Sequence, residues 1–223
     1  MVIEVWRRVM TQWQLKLWLT ALLALAFLPL YLLLSHRIWR PLWNPPLMWI
    51  DRNIPFQPGW VWAYQSLYLI TGTIPWLATS ASQLRRYVVS FWLVAIVGLV
   101  TFALLPVAAP RPQVVTNSAG MSLLLIYDGP YGDFPSLHAG FLVLTLAFGL
   151  RVMDGRIPIL VITLMLAWAV VILYATLALK EHYAIDLLAG IALALTADLM
   201  VWEGLPRLST RMLRNIGLIS QRG

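Results

Sequence analysis

The chain has 223 residues, of which 61% are hydrophobic and 11% are charged, and its formal net charge is +7. A soluble globular domain carries roughly a quarter charged residues, so this chain has too few to cover its surface against water. Composition therefore excludes an ordinary soluble domain and predicts an integral membrane protein. Cysteine is absent, which excludes a disulfide framework, a thiol nucleophile and a thiolate metal site.

Apolar segments of membrane-spanning length occur along most of the chain. A helix needs about 20 mostly apolar residues to cross a bilayer. The segments predict an all-α bundle of six transmembrane helices in one domain covering residues 1–223, with spans at about 15–35, 59–79, 88–109, 138–151, 157–179 and 183–204. The second span is the least apolar, and the fourth is short unless it begins within the polar stretch before it.

The first span could be mistaken for a signal peptide, because Arg7, Arg8 and Lys16 lie before or at the start of its apolar run. The run over residues 17–34 is longer than the apolar region of a usual signal peptide and has no convincing small-residue cleavage site. We therefore expect an uncleaved first helix.

The loop after the first span, residues 36–58, contains five prolines together with Trp39, Trp43 and Trp49. A segment so rich in proline cannot form a regular span. Because indole rings favour the membrane–water interface, we expect this first outer loop to lie along it, where it could cover a lipid entry route.

Basic residues flank the apolar segments and indicate how the chain is oriented. Of the 16 Lys and Arg residues, eleven fall on the side of the N-terminus: Arg7, Arg8, Lys16, Arg85, Arg86, Arg151, Arg156, Arg207, Arg211, Arg214 and Arg222. Five fall on the opposite side: Arg37, Arg40, Arg52, Arg111 and Lys180. The positive-inside rule then predicts a multi-pass protein of the cell (inner) membrane with both termini in the cytoplasm. Such a distribution also favours contact with anionic membrane lipids and not with nucleic acid.

Polar residues collect at the outward ends of three predicted spans, in the stretches "APRP", "DFPSLH" and "LKEHYAID". Ionisable residues at the edge of a membrane are costly and are functional by default. Because three separate segments place them at one depth, we expect a single site on the outer, or periplasmic, face. The candidate site residues are Arg111, Ser136, His138, Lys180, His182 and Asp186.

The residue types in these stretches suit phosphate chemistry. His182 and Asp186 are spaced i, i+4, so on a helix they share a face, and a carboxylate bonded to one imidazole nitrogen leaves the other free as a nucleophile. Ser136 is placed as an N-cap, where backbone N–H groups can bind an anion. The guanidinium of Arg111 and the ammonium of Lys180 suit phosphate oxygens.

With His138, the site has two imidazoles, so one could attack phosphorus while the other protonates the departing oxygen. Alone, each residue also has a structural interpretation. His138 could cap a helix or lie at the interface, and His182 and Asp186 could satisfy each other. Arg111 or Lys180 could be an interfacial cation. Three further acids are interpreted as loop or capping groups without chemistry: Asp128, Asp133 and Glu181.

At these residues the sequence resembles the type 2 phosphatidic acid phosphatase superfamily, which includes the vanadium haloperoxidases. That family has three motifs: Lys-x6-Arg-Pro, Pro-Ser-Gly-His and Ser-Arg-x5-His-x3-Asp. The matching residues here are Arg111-Pro112, Pro135-Ser136-Leu137-His138, and His182 with Asp186. The family's Lys and Ser-Arg positions hold Leu104, Ala175 and Thr176 instead, and Lys180 is a candidate substitute for one missing cation. The stretches "LLPVAAPRP", "FPSLHAG" and "KEHYAIDLLAG" are similar to the branch of inositol-phosphorylceramide and sphingomyelin synthases.

The resemblance implies that His182 is a nucleophile forming a phosphohistidine, that Asp186 orients it, and that His138 is the general acid. It further implies that the phosphate is bound by Arg111, Ser136 and Lys180. No metal or other cofactor is implied, and the sequence offers no good carboxylate cluster for a metal.

Our leading hypothesis is a lipid phosphatase acting on a phosphatidate- or polyprenyl-diphosphate-like lipid at the outer face. The first alternative is a phosphotransferase that passes a phospho-head group to an alcohol acceptor. A proton-coupled transporter is less favoured, because transport sites tend to lie near the bilayer midplane and these polar residues lie at helix ends. A catalytically inactive scaffold is a further alternative, since the family's cations are missing.

Overall fold

The computed structural model describes residues 2–112, 118–153 and 157–204. Over these ranges the chain is all-helical, as the sequence predicts, and contains nine α-helices: α1 Val2–Met10, α2 Trp13–Ser35, α3 Trp49–Asn53, α4 Val61–Thr73, α5 Ala81–Leu104, α6 Ala119–Tyr127, α7 Leu137–Met153, α8 Ile159–Ala178 and α9 Ala184–Leu199. Short 3₁₀-helices flank α4 at Pro58–Trp60 and Ile74–Leu77, and a π-helical turn, Met200–Gly204, extends α9. The basic residues Arg156, Arg207, Arg211, Arg214 and Arg222, used for the topology prediction, lie outside the described residues.

Four helices in the described ranges are long and apolar enough to cross a membrane, namely α2, α5, α8 and α9 with its extension. They correspond to the first, third, fifth and sixth predicted spans. The fourth predicted span is α7, an apolar helix of 17 residues. The second is the 13-residue helix α4 with 3₁₀ turns at both ends, where Pro58 and Pro75 occupy first-turn positions. A count of six spans stays a prediction.

The third predicted span differs most from the helix that forms. Helix α5 begins at Ala81, seven residues before the predicted start, because the Ser80 hydroxyl caps it by accepting the Gln83 N–H at 3.2 Å. Arg85 and Arg86 therefore lie within the first turns of α5, not in a loop. The helix ends at Leu104, shortly before Pro106, which has no backbone N–H to continue the ladder.

Helix α7 lies at the centre of the bundle, where it packs against α4, α5 and α9. Its contact with α9 is close, because Gly140 and Gly190 face each other at the crossing. A Cβ atom built on Gly190 would lie 2.1 Å from the carbonyl oxygen of Ser136, and one on Gly140 would lie 3.3 Å from the carbonyl oxygen of Gly190. Small residues at a helix crossing let the two backbones approach.

The first outer loop crosses the ends of three helices. The Trp43 N–H donates to the Pro106 carbonyl at 2.9 Å, just after α5, and the Gln57 N–H donates to the Ala178 carbonyl at 2.8 Å, at the end of α8. The Asp51 carboxylate in α3 accepts the Ala184 N–H at 2.8 Å, at the start of α9. The loop is thus attached at the ends of α5, α8 and α9, next to the turn that carries Lys180 and His182.

Candidate active site

The turn between α8 and α9 directs the neighbouring side chains of Lys180, Glu181 and His182 to different partners. The Glu181 N–H donates to the Thr176 carbonyl and the Lys180 N–H to the Leu177 carbonyl, both at 3.2 Å, which is a Schellman ending of α8. Lys180 takes the left-handed position with φ +58°, which is usually held by glycine. This backbone reversal directs consecutive side chains to different partners.

His182 lies in that turn, just before α9, and not on the helix with Asp186 as the i, i+4 spacing predicts. Asp186 is in the first turn of α9, where its carboxylate accepts the Tyr183 N–H at 2.8 Å. This bond holds the carboxylate beside the imidazole, with Nδ1 of His182 3.7 Å from Oδ2 of Asp186. Both side chains are buried. The structure therefore brings the pair together through a helix cap.

His138 meets His182 from the other side, at the start of α7. Ser136 is the N-cap, as expected, since its hydroxyl accepts the Ala139 N–H at 3.2 Å. The Ser136 N–H donates to the Asp186 carbonyl at 3.0 Å, which joins the two motif segments through their backbones. Nδ1 of His138 then lies 3.1 Å from Nε2 of His182, so the two imidazoles are hydrogen-bonded.

The far nitrogen of His138 faces tyrosines and a second carboxylate. Its Nε2 lies 2.8 Å from the Tyr64 hydroxyl and 3.0 Å from the Tyr68 hydroxyl. The Asp128 carboxylate accepts hydrogen bonds from the hydroxyls of Tyr31 and Tyr64 and lies 3.5 Å from Nε2 of His138. An imidazolium at His138 would donate from Nε2 to a tyrosine oxygen while Asp128 stabilises its charge.

The two histidines are therefore each backed by a carboxylate. Asp186 lies behind His182, and Asp128 lies behind His138 with the Tyr64 hydroxyl between them. The sequence interpretation of Asp128 as a loop or capping group was incomplete, because its side chain reaches the site.

Arg111 is held by Glu181, another acid to which the sequence analysis gave no chemistry. Its Nε lies 2.9 and 3.0 Å from the two carboxylate oxygens, and its Nη2 also donates to Glu181 and, at 3.1 Å, to the Asp128 carbonyl. Burial alone would lower the pKa of Arg111, but the Glu181 carboxylate raises it above its usual value. The guanidinium therefore stays charged, and its Nη1 donates to none of the described residues.

The Lys180 ammonium contacts the first outer loop and not the imidazoles. It donates to the carbonyls of Asp51 at 2.8 Å and Ile54 at 2.6 Å, which belong to α3 and the residue after it. Of the six predicted site residues, the structure joins Ser136, His138, His182 and Asp186 directly. It places Arg111 beside them through Glu181 and Asp128, and it attaches Lys180 to the first outer loop.

Asp133 is a further buried acid close to the site. Its Oδ2 finds no hydrogen-bond partner among the described residues, so it does not cap a helix with that atom. Burial, together with the neighbouring Asp186 and Asp128 carboxylates, raises the pKa of Asp133 well above its usual value. The protonated acid is thereby favoured. Within the described ranges, no group of three or more His, Cys, Asp or Glu side chains is arranged to hold a metal ion.

A family model described as the PAP2 superfamily matches residues 32–200, which is more than half of the chain and contains every predicted site residue. The chain belongs to the PAP2 superfamily. This is the type 2 phosphatidic acid phosphatase superfamily that the three motifs resemble, so that prediction is confirmed. Membership supports an enzyme with the lipid phosphate chemistry of a phosphatase or phosphotransferase. The match does not extend to the branch of inositol-phosphorylceramide synthases, which stays a prediction. No curated protein and no solved structure matches the chain.

Four residues that the structure places at the candidate site have no role in the sequence prediction: Tyr64, Tyr68, Asp128 and Glu181. Tyr64 and Tyr68 carried a signal, since they are spaced i, i+4 in the least apolar predicted span and so share a helix face. Glu181 lies between two predicted site residues. Asp128 gave no such signal, because its partners Tyr31 and Tyr64 are 97 and 64 residues away in sequence.

Proposed function

We propose that this PAP2 protein is a lipid phosphatase that hydrolyses a lipid phosphate or diphosphate through a phosphohistidine on His182. The observation that carries the proposal is the contact between Nε2 of His182 and Nδ1 of His138, with a carboxylate behind each imidazole. The outer face of the cell membrane is the proposed location, because the positive-inside rule puts the ends of these helices there.

In the first step, Nε2 of His182 forms a bond to phosphorus while the bond from phosphorus to the leaving oxygen breaks. The negative charge of Asp186, 3.7 Å from Nδ1 of His182, favours the tautomer with its proton on Nδ1, which leaves Nε2 free to attack. His138 gives its proton to the leaving oxygen as general acid. Since the two ring nitrogens are only 3.1 Å apart, the phosphoryl group must replace the hydrogen bond between them.

In the second step, water attacks the phosphohistidine, and His138 takes up the proton that the water loses. The bond between nitrogen and phosphorus breaks, phosphate leaves, and both histidines return to their first states. The phosphate oxygens are bound by Nη1 of Arg111 and by the N-terminal end of α7 behind Ser136. Lys180, in this proposal, holds the first outer loop over the site and does not bind phosphate.

A phosphotransferase is the second candidate, favoured by the enclosure of the site. His182 is 4% exposed and Asp186 is 0% exposed, beneath the first outer loop. A site that limits water would favour transfer of the phosphoryl group from His182 to an alcohol acceptor. Both candidates share the first step and differ only in what attacks the phosphohistidine.

One assay separates the two candidates. We expect purified protein incubated with labelled phosphatidate or polyprenyl diphosphate to release inorganic phosphate in the absence of any added alcohol, leaving diacylglycerol from the first lipid and polyprenyl monophosphate from the second. When inositol is added, the label should remain in inorganic phosphate if the protein is a phosphatase. It should appear in inositol phosphate if the protein is a phosphotransferase. Absence of release from every lipid tried, with transfer seen only when an alcohol is present, would overturn the phosphatase proposal.

The pairing of Arg111 with Glu181 gives a prediction that separates binding from stability. Arg111→Ala should abolish most phosphate binding and also destabilise the fold by about 3 kcal/mol, because Glu181 is left buried without its partner. The double variant Arg111→Ala/Glu181→Gln should recover much of the stability and none of the activity. Thermal unfolding in detergent and turnover of labelled phosphatidate measure the two effects. Activity restored by the double variant would show that Arg111 only neutralises Glu181.

A further inference from the structure

A long apolar cleft begins at His138, on the side of its Nε2 and Tyr68, and runs along α2. Its volume is about 520 Å³, within the range of small-molecule pockets. His138 and Tyr68 line its outer end, Ala24 and Phe91 line its middle, and Lys16 and Trp76 line its inner end. The walls come mainly from α2, α4, α5 and α7, with the 3₁₀ turn Ile74–Leu77 at the inner end and Tyr127 of α6, and they are almost entirely apolar.

The space lies beside α2, whose most buried residues are near its two ends, while between them Phe27 packs on Phe91 and Phe141 with ring centroids 5.5 and 5.4 Å apart. The only buried residues of α2 are Lys16 near the start and Tyr31 and Ser35 near the end. At the inner end, the Lys16 ammonium donates to the carbonyls of Arg8 at 2.6 Å and Trp76 at 2.7 Å. At the outer end, the Tyr31 hydroxyl donates to Asp128, and the Ser35 carbonyl accepts an N–H bond from the loop before α7.

The length of the cleft suits a lipid tail. Lys16 and Tyr31 are fifteen residues apart on one helix, so the cleft extends over roughly 22 Å at 1.5 Å per residue. That is about three quarters of the 30 Å hydrocarbon core of a bilayer. Since α2 packs on α5, while α4 packs on α7 and α8, the side between α2 and α4 is where a chain could enter from the membrane.

We propose that this cleft holds one hydrocarbon chain of the lipid phosphate substrate, with its phosphate at His182 and the end of the chain toward Lys16. The inference rests on the proposed function and adds how the substrate is selected. A hydrocarbon chain gains little by leaving lipid for an apolar cleft, because lipid tails are as apolar as the walls. The cleft therefore selects by shape and length, and Lys16 and Trp76 set the limit at its inner end.

Narrowing the middle of the cleft tests this. Ala24 lies seven residues before Tyr31, about 10 Å along the helix, and Ala24→Trp would block the path of a long chain at that depth. We expect Ala24→Trp to lower kcat/KM for dioleoyl phosphatidate at least tenfold more than for dioctanoyl phosphatidate. The matched control is Leu25→Trp on the same helix, because Leu25 is 75% exposed and does not line the cleft. Equal losses for both substrates in Ala24→Trp, or the same selectivity change in Leu25→Trp, would overturn the proposal.

Photolabelling tests whether the cleft binds a hydrocarbon chain independently of whether the protein hydrolyses the lipid. Phosphatidate with a diazirine at the end of one acyl chain should, on illumination, label residues near Lys16 and Trp76 in both the wild type and His182→Ala. Ala24→Trp should abolish this labelling, and Leu25→Trp should not. Labelling as expected without turnover would reject the proposed phosphatase and keep the cleft. Turnover with labels confined to the outward surface of α2 or α8 would reject the cleft and keep the phosphatase.

Discussion

Replacing His182 by alanine should lower turnover of the lipid phosphate by several powers of ten while the fold stays intact. No phosphohistidine can form without Nε2, and removing a nucleophile typically eliminates most of the rate enhancement. The fold should tolerate the change, because only the hydrogen bond between Nε2 of His182 and His138 is lost, while Asp186 keeps its bond to the Tyr183 N–H. Initial rates with labelled phosphatidate and thermal unfolding in detergent measure the two parts.

Two controls make the His182 result specific. His36 is exposed at the end of α2, so His36→Ala should keep wild-type turnover. His138→Ala should still accumulate acid-labile label on His182 from a diphosphate substrate, whose leaving group needs less help from an acid. Substantial residual hydrolysis in His182→Ala would mean that another group attacks phosphorus, with His138 the first to examine.

The sequence was sufficient to predict which side chains meet where the groups are local. The His182–Asp186 spacing, the Ser136 N-cap and the placement of His138 beside it all involve neighbours within a few residues. Their meeting could be expected from three polar stretches at the same depth, because each follows or begins a span. The 3.1 Å contact between the imidazoles depends on the crossing of α7 and α9, which no local pattern specifies.

The direction of single side chains was harder to predict. Lys180 and Glu181 are adjacent in sequence, yet one contacts the first outer loop and the other contacts Arg111. Their separation follows from the left-handed conformation of Lys180. Glycine is the usual residue at such a position, so a lysine there does not indicate a left-handed turn in the sequence. Residue types alone favour the lysine as a phosphate ligand and assign the glutamate no role, because they carry no information on the direction of either side chain.

The ends of the helices, like the directions of the side chains, were only partly predictable from the sequence. Arg85 and Arg86 look like a loop on hydropathy alone, but the Ser80 cap precedes them and α5 includes them. Charged residues with long stems can remain helical at a membrane edge while their ends reach water. The start of α5 is therefore indicated by its capping residue, Ser80, and not by the hydropathy of the segment.

Gly190→Ala should reduce activity about a hundredfold by moving α9 away from α7. The added Cβ would lie 2.1 Å from the Ser136 carbonyl oxygen, and backbone on both sides cannot yield without displacing one helix. Ser136 also donates to the Asp186 carbonyl, so the displacement would separate the segment of His138 from that of His182. A misplacement of about 1 Å between catalytic groups costs on the order of 10²-fold in rate.

The same substitution should destabilise the fold by about 1 to 3 kcal/mol, as overpacking of a close contact does. Gly59→Ala is the matched control, because a Cβ at Gly59 meets nothing within 4 Å and the residue lies outside the site and the cleft. Measurements of kcat, KM and thermal unfolding distinguish a loss in the catalytic step from a loss in substrate binding or in stability. The loss should appear in kcat, because Arg111, the proposed phosphate ligand, is not attached to α9 itself. A Gly190→Ala variant with wild-type kcat would mean that the spacing of α7 and α9 does not limit the contact between the histidines, and that the loop carrying His182 adjusts independently of α9.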